Sequence, residues 1–158
     1  MKIGMGNDIH RLARGRVMVL GGVKLPYSKG PEGHSDGDVL IHAICDAILG
    51  ALGEGDIGMR FPDTDPGFKD TSSSEFLEDV VDLMSKKGMG VGNLDCTVIL
   101  EEPRIGPYRE KIVSLISGML GIPKEDVNLK AKTCEKLGVI GKGEAVAAYA
   151  VVLLKKIK

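Results

Sequence analysis

The chain has 158 residues, 43% of them hydrophobic and 27% charged, and a formal net charge of −1 from 21 basic and 22 acidic residues. This length and ordinary globular composition predict one domain over residues 1–158 with a core that needs no staples. The near-zero charge excludes a global field that gathers nucleic acid or an anionic membrane, and 4% aromatics without Trp exclude stacking platforms for single-stranded bases.

In chain order, Lys2–Ile9 reads as a first strand with no apolar run of signal-peptide length. Arg16–Leu20 and Val23–Tyr27 flank Gly21-Gly22, a two-residue hairpin signal. Ser35-x-x-Asp38 resembles a capping box and predicts a helix over Asp36–Leu52. Gly53–Asp70 is rich in Gly, Pro and Asp and reads as one long loop, a length that in compact domains tends to be functional. Ser72-x-x-Glu75 caps a second helix ending near Lys86-Lys87-Gly88. Leu94–Glu101 is a strand. Pro107 opens a third helix with Ile112, Leu115, Ile116 and Met119 on one face. Val127–Thr133 is another strand. Ala145–Leu154 permits a helix, but its short continuous apolar run, too short for a membrane span, suits a strand covered on both faces. Gly88-x-Gly90-x-Gly92 and Gly138-x-x-Gly141-x-Gly143 read as turns. The expected fold class is α/β (α+β): one mixed, mostly four-stranded sheet with helices packed on one face, plus a small β-hairpin. Cys45, Cys96 and Cys134 lie far apart without a CxxC spacing, which fits a reducing, cytoplasmic setting.

Three constellations carry chemistry. Asp8 and His10 point to one face of the first strand, and His42 lies on the first helix with Asp38 and Asp46 four residues to either side. One oxygen and two nitrogens suit zinc with an open fourth position, with Asp38 or Asp46 orienting His42, and equally suit non-haem iron. The plainer alternative pairs His42 with Asp46 and leaves Asp8 and His10 at a strand end. Gly55-Asp56-Ile57-Gly58 and Phe61-Pro62-Asp63-Thr64-Asp65-Pro66 form a rigid loop whose carboxylates suit polyol hydroxyls and whose amides suit phosphate, or whose role is turn chemistry alone. Lys130–Lys136 runs from a strand into a loop. There Lys132 and Thr133 suit phosphate and Glu135 suits a hard cation such as magnesium, or the stretch is a solvated strand end.

Taken together, Asp8-x-His10, His34-Ser35-Asp36-Gly37-Asp38-x-x-x-His42-Ala43, the Gly55–Pro66 loop and Thr133-x-Glu135-Lys136-Leu137-Gly138 resemble the 2-C-methyl-D-erythritol 2,4-cyclodiphosphate synthases of non-mevalonate isoprenoid biosynthesis, over the whole chain. The resemblance implies conversion of 4-diphosphocytidyl-2-C-methyl-D-erythritol 2-phosphate to the cyclodiphosphate with release of CMP. It implies zinc or another divalent transition metal on Asp8, His10 and His42, and magnesium or manganese on Glu135. His34 and Thr133 would position the diphosphate as catalytic residues. Ser35, Asp56, Ile57, Gly58, Phe61, Pro62, Asp63, Thr64 and Asp65 would meet the rest of the substrate. Leu100, Glu101, Glu102, Pro103, Arg104, Ile105 and Gly106, with Ala131, Lys132, Cys134 and Lys142, would cradle the nucleotide. It also implies a homotrimer with sheets packed around a threefold axis and active sites shared between subunits. Asn7, Cys134, Val139 and Lys142 depart from the family's usual residues. The last two lie where that family lines its central cavity.

Overall fold

A computed structural model describes residues 1–62, 64–68 and 71–157. Its strands and helices are β1 (Lys2–Arg14), β2 (Met18–Leu20), β3 (Val23–Leu25), β4 (Lys29–Pro31), α1 (Val39–Leu52), α2 (Ile57–Arg60), α3 (Ser73–Lys86), β5 (Met89–Ile99), α4 (Arg109–Leu120), β6 (Val127–Lys132), α5 (Gly138–Gly141) and β7 (Ala145–Lys156). Five strands form one mixed sheet in the order β4-β1-β7-β5-β6, and β2 and β3 form a separate hairpin. Only the β5–β6 pair is parallel. The helices lie on one face, so the α/β architecture holds, and it is not the double-sheet jelly roll of an oxygenase. Among the described residues no helix is long and apolar enough to cross a membrane.

The sheet has five strands rather than four because β1 continues to Arg14 and pairs there with β4 through Leu12↔Pro31 and Arg14↔Lys29. Gly30 and Pro31 hide β4 from a propensity reading, since proline is tolerated only at a sheet edge. Likewise β5 starts at Met89 rather than Leu94. Gly88 is in a turn as read, but Gly90 and Gly92 belong to a strand whose register shifts between Val91 and Asn93, a bulge of the sort glycine accommodates. Gly138–Gly141, also read as a turn, is a short helical turn. The Gly53–Asp70 stretch contains α2 and a 3₁₀ turn at Pro66–Phe68.

Helix α1 begins at Val39 rather than Asp36. Gly37 sits at φ 71°, outside the helical region, and Asp38 is the N-cap, its carboxylate accepting from Ile41 N at 3.1 Å. The same buried carboxylate accepts from Gly21 N at 2.9 Å and Gly22 N at 2.7 Å. It thereby fastens the hairpin turn to the start of α1, and both glycines of that turn have positive φ. The Asp38 cap offsets helix ends that would otherwise be left without partners.

Helix α1 presses directly on the backbone of β1. A Cβ built on Gly4 would lie 1.9 Å from the Ala47 carbonyl oxygen, and one on Gly6 would lie 2.1 Å from that of Ala43. Twelve α1 residues are buried, so the helix is enclosed almost all round. In β7, Val146, Ala148, Ala150, Val152 and Leu154 face the helices and are fully buried. The opposite face leaves Ile3, Met5, Ile9, Tyr149 and Val151 exposed, an apolar strip across β1 and β7. The strand reading of Ala145–Leu154 therefore holds, with one face covered within the chain.

Gly6→Ala should cost about 2–3 kcal/mol in urea unfolding, because the clash is with backbone and the helix must retreat. Gly118→Ala, on an exposed turn of α4 with nothing near its Cβ, should instead stabilise by about 0.5–1 kcal/mol. Equal effects would contradict the packing described.

Candidate functional site

Strand β1 presents Asp8 and His10, and the first turn of α1 presents His42 from above. Asp8 Oδ2 lies 2.9 Å from His10 Nε2 and 2.9 Å from His42 Nδ1. The two ring nitrogens are 3.2 Å apart. Three ligands at zinc–nitrogen and zinc–oxygen distances in a tetrahedral arrangement stand about 3.3 Å from one another. Their chemistry also fits. His10 Nδ1 is 2.7 Å from the Glu32 carbonyl oxygen, to which it must donate, so in the neutral ring Nε2 is a bare lone pair. A lone-pair nitrogen, a second ring nitrogen and a carboxylate oxygen that converge this closely suit a cation between them. This is the one such group among the described residues.

Without metal, the protons distribute accordingly. Burial alone would raise the Asp8 pKa, but the hydrogen bonds that the His10 and His42 rings give it when they are protonated outweigh it and hold the carboxyl well below its usual range. Burial would lower that of His10, but its bond to Asp8 carries it above the ordinary imidazole value. Neither of the buried thiols competes for these roles: burial pushes Cys45 far up, and Cys96 up to about 12.

A cavity of about 290 Å³ opens over the triad, lined among others by Glu32, His34, Ser35, Ile57, Gly58 and Asp65. Its wall holds all three phenylalanines of the chain. Phe61 stacks on Phe76 with centroids 4.5 Å apart, and Phe68 meets both edge-on. The Arg16 guanidinium donates to the carbonyls of Pro31, Gly33 and Ser35 at 3.1–3.3 Å, pinning the loop that carries His34. Helix α2 is anchored on α1, where Asp46 Oδ1 accepts from Ile57 N at 2.7 Å. Asp56 caps α2 by accepting from Met59 N at 2.8 Å.

A second cavity, of about 1060 Å³, is lined by Leu100–Pro107, Ala131–Thr133 and Lys142, with Tyr27 and Lys29 at its edge. Thr133 Oγ1 donates to Glu135 at 2.8 Å. Glu135 and Lys136 both adopt positive φ, 51° and 63°, a left-handed backbone that costs non-glycine residues about 1–2 kcal/mol each. Cys134 N donates to Glu101 at 3.2 Å.

Residues 1–155 match the profile of the YgbB family. The chain belongs to that family. Among its YgbB relatives, the 2-C-methyl-D-erythritol 2,4-cyclodiphosphate synthase of Desulfatibacillum aliphaticivorans is 51% identical over 98% of this chain and all of that one. The enzyme of the same name from Geobacillus kaustophilus is 52% identical over 98% of each. A solved YgbB-type structure, the IspF of Plasmodium falciparum in complex with CDP, superposes with a TM-score of 0.87 at 39% identity, over 99% of this chain and 97% of that one.

Of the residues that the family resemblance implies, Asp8, His10, His42, His34, Ser35, Ile57, Gly58, Phe61 and Asp65 meet at the first cavity. Asp56, Pro62 and Thr64 lie in the same loop but are not among its lining residues; Asp63 lies outside the described residues. Leu100, Glu101, Glu102, Pro103, Arg104, Ile105, Gly106, Ala131, Lys132, Thr133 and Lys142 meet at the second, with Cys134 and Glu135 beside it. Among the described residues of one chain, none lines both. Orientation of His42 by Asp38 or Asp46 is overturned: Asp38 is spent on the hairpin and helix cap, and Asp46 on Ile57. In their place, Ser73 Oγ lies 2.9 Å and Ser35 Oγ 3.3 Å from His42 Nε2. Sequence reasoning also missed Arg16, Phe68 and Phe76, which no local motif marks.

A proton and a metal compete for His10. Metal affinity should therefore fall as the pH drops through the raised His10 value, beginning above the ordinary imidazole pKa of about 6.5, and level off at higher pH. In the metal-free fold the sign reverses. The His10–Asp8 pair contributes stability below the unfolded imidazole value and loses it as pH rises through the folded one. Chelator competition and thermal melts across this range check both, and a flat affinity profile would contradict the first.

Proposed function

We propose that the chain is a phosphorus–oxygen lyase that converts 4-diphosphocytidyl-2-C-methyl-D-erythritol 2-phosphate to the 2,4-cyclodiphosphate and CMP, in the cytoplasmic non-mevalonate route to isoprenoids. The observation that carries this reading is the convergence of Asp8, His10 and His42 beneath the loop cavity in a chain half identical to synthases of that name over their full length. An oxygen of the 2-phosphate attacks the β-phosphorus of the diphosphate. A P–O bond closes the ring, the bond to the CMP oxygen breaks, and CMP departs with that bond's electrons. The attacking phosphate is already anionic at neutral pH, so no general base is needed. Asp8, His10 and His42 would hold zinc and Glu135 would hold magnesium or manganese; when bound, these ions would supply positive charge against the two anions and the transition state.

The chain's own residues do the rest. His34 and Ser35 face the phosphates from the loop that Arg16 pins. The Phe61, Phe68 and Phe76 wall excludes water that would otherwise capture the phosphoryl group. Asp56 and the Ile57-Gly58 backbone, fixed through Asp46, hold the erythritol hydroxyls, and Thr64 and Asp65 border them. Leu100–Gly106 and Ala131–Cys134 take the cytidine, a reading supported by the CDP that the Plasmodium falciparum relative binds. Thr133 and Glu135 then meet the diphosphate where the nucleotide leaves it.

Because these two sets of residues line separate cavities of one chain, the complete site is built where the first cavity of one subunit abuts the second of its neighbour. A homotrimer supplies that arrangement and buries the strip of Ile3, Met5, Ile9, Tyr149 and Val151 around its axis.

Incubation with the diphosphocytidyl substrate, zinc and magnesium should give a cyclic diphosphate by phosphorus NMR together with CMP; a linear product or none would contradict the reading. Asp8→Asn and His42→Ala should each reduce turnover by roughly 100-fold or more while the fold survives by circular dichroism. Asp56→Ala should raise KM with metal content unchanged. Val151→Asp should lower the mass in sedimentation from three times 16.8 kDa towards a single chain and abolish turnover with it. A fully active monomer would refute the shared site.

A further inference from the structure

We propose that Ser73, backed by Asp36, is a positioning residue that fixes which nitrogen of His42 is offered to the metal. This rests on the metal role of Asp8, His10 and His42. His42 is itself buried, and its Nε2 looks away from the triad onto the first residue of α3. Ser73 Oγ is 2.9 Å from that nitrogen, and Ser73 is fully buried. A hydroxyl has one proton to give. That of Ser73 goes to Asp36 Oδ1, with which it makes a short hydrogen bond. What the hydroxyl presents to His42 is therefore a lone pair, so Nε2 must carry the ring's proton. In the neutral ring Nδ1 is then bare and faces Asp8 Oδ2.

Asp36 does not depend on the metal for its own position. Its carboxylate accepts from Asp38 N at 3.1 Å, Ser73 N at 3.2 Å and the Ser72 hydroxyl at 3.5 Å. It thus sits at the N-terminus of α3, where the helix's unpaired N–H groups favour an anion. Ser35 Oγ stands farther off, at 3.3 Å; one of its lone pairs accepts from Gly37 N, and the other can accept from a protonated Nε2 alongside Ser73. The two rings of the triad are thereby held in opposite tautomers. The Glu32 carbonyl forces the proton of His10 onto Nδ1 and bares Nε2; the Asp36–Ser73 relay forces that of His42 onto Nε2 and bares Nδ1. Partners of this kind orient the ring and raise its basicity towards the metal, and their removal typically costs 10–100-fold in affinity. The relay also ties the ligand to α3, which carries Phe76 of the cavity wall on its next turn.

The test begins with wild-type protein. A zinc titration of the metal-free chain decides the metal role itself, and absence of binding would overturn that underlying reading rather than the relay alone. Long-range ¹H–¹⁵N spectra of histidine-labelled protein, metal-free above pH 8 and zinc-loaded, should show protonated Nε2 on His42 and protonated Nδ1 on His10. A His42 protonated on Nδ1 would overturn the proposal without any variant. Ser73→Ala should weaken zinc binding 10–100-fold by chelator competition and mix the tautomers of His42 in the metal-free protein. Asp36→Asn, whose amide oxygen still accepts from Ser73, should fall between it and wild type, and it carries the comparison should Ser73→Ala not fold. A purely structural role would lower the melting temperature of the metal-free form but leave the zinc affinity within twofold of wild type and the tautomer unmoved, and that result would overturn the proposal.

Discussion

The contact on which the site depends is the seating of α1 on the glycine backbone of β1. With side chains at Gly4 and Gly6 the helix would have to ride higher, since each added Cβ would fall within about 2 Å of a helix carbonyl oxygen. Removing those side chains lets a helix and a strand approach until an imidazole on one reaches a carboxylate on the other at 2.9 Å. The cost is conformational, because glycine in a strand weakens it. The return is a rigid, buried platform: Asp8 and His10 are held by a strand paired to β7 along ten residues, and His42 by a helix that is enclosed almost all round. Ligands on such elements keep their geometry better than ligands on loops.

Around that platform, loops supply what the rigid elements lack. The 31–35 segment brings His34 and Ser35 and is fixed by one guanidinium binding three carbonyls. The Gly53–Asp70 stretch brings Phe61 and Phe68 of the phenyl wall and the caps of α2. A protein with a net charge of −1 has no long-range field for a polyphosphate, so charge must come from cations fixed at a few points. The proposed function puts one at the triad and one at Glu135, in separate regions of one subunit. That separation, the open apolar strip on the sheet and the size of the second cavity share one explanation if neighbouring copies complete each other's sites.

Much of this was legible in the chain. The Gly21-Gly22 turn, the Ser72 cap of α3 and the strand character of Ala145–Leu154 follow from local rules of spacing and capping, whereas spacing left the convergence of Asp8, His10 and His42 open beside a plainer His42–Asp46 pairing, and the family resemblance selected it. The failures share a cause. Asp38 and Asp46 lie at the helical spacing from His42, and the sequence cannot say that each carboxylate is already engaged, one by the hairpin turn and the other by Ile57 N. Ser73 reaches His42 across 31 residues, and Phe68, Phe76 and Arg16 also act through tertiary neighbours. β4 and the first residues of β5 were hidden because their Gly and Pro residues signal turns locally, whereas edge position and a bulge make them acceptable in a sheet.

Zinc K-edge X-ray absorption on the protein purified without added metal tests the central claim most directly. The account predicts about one zinc per chain, with two imidazole rings visible in the multiple scattering and only nitrogen or oxygen neighbours at about 2.0–2.2 Å. Sulfur at about 2.3 Å, or zinc lacking imidazole scattering, would contradict it.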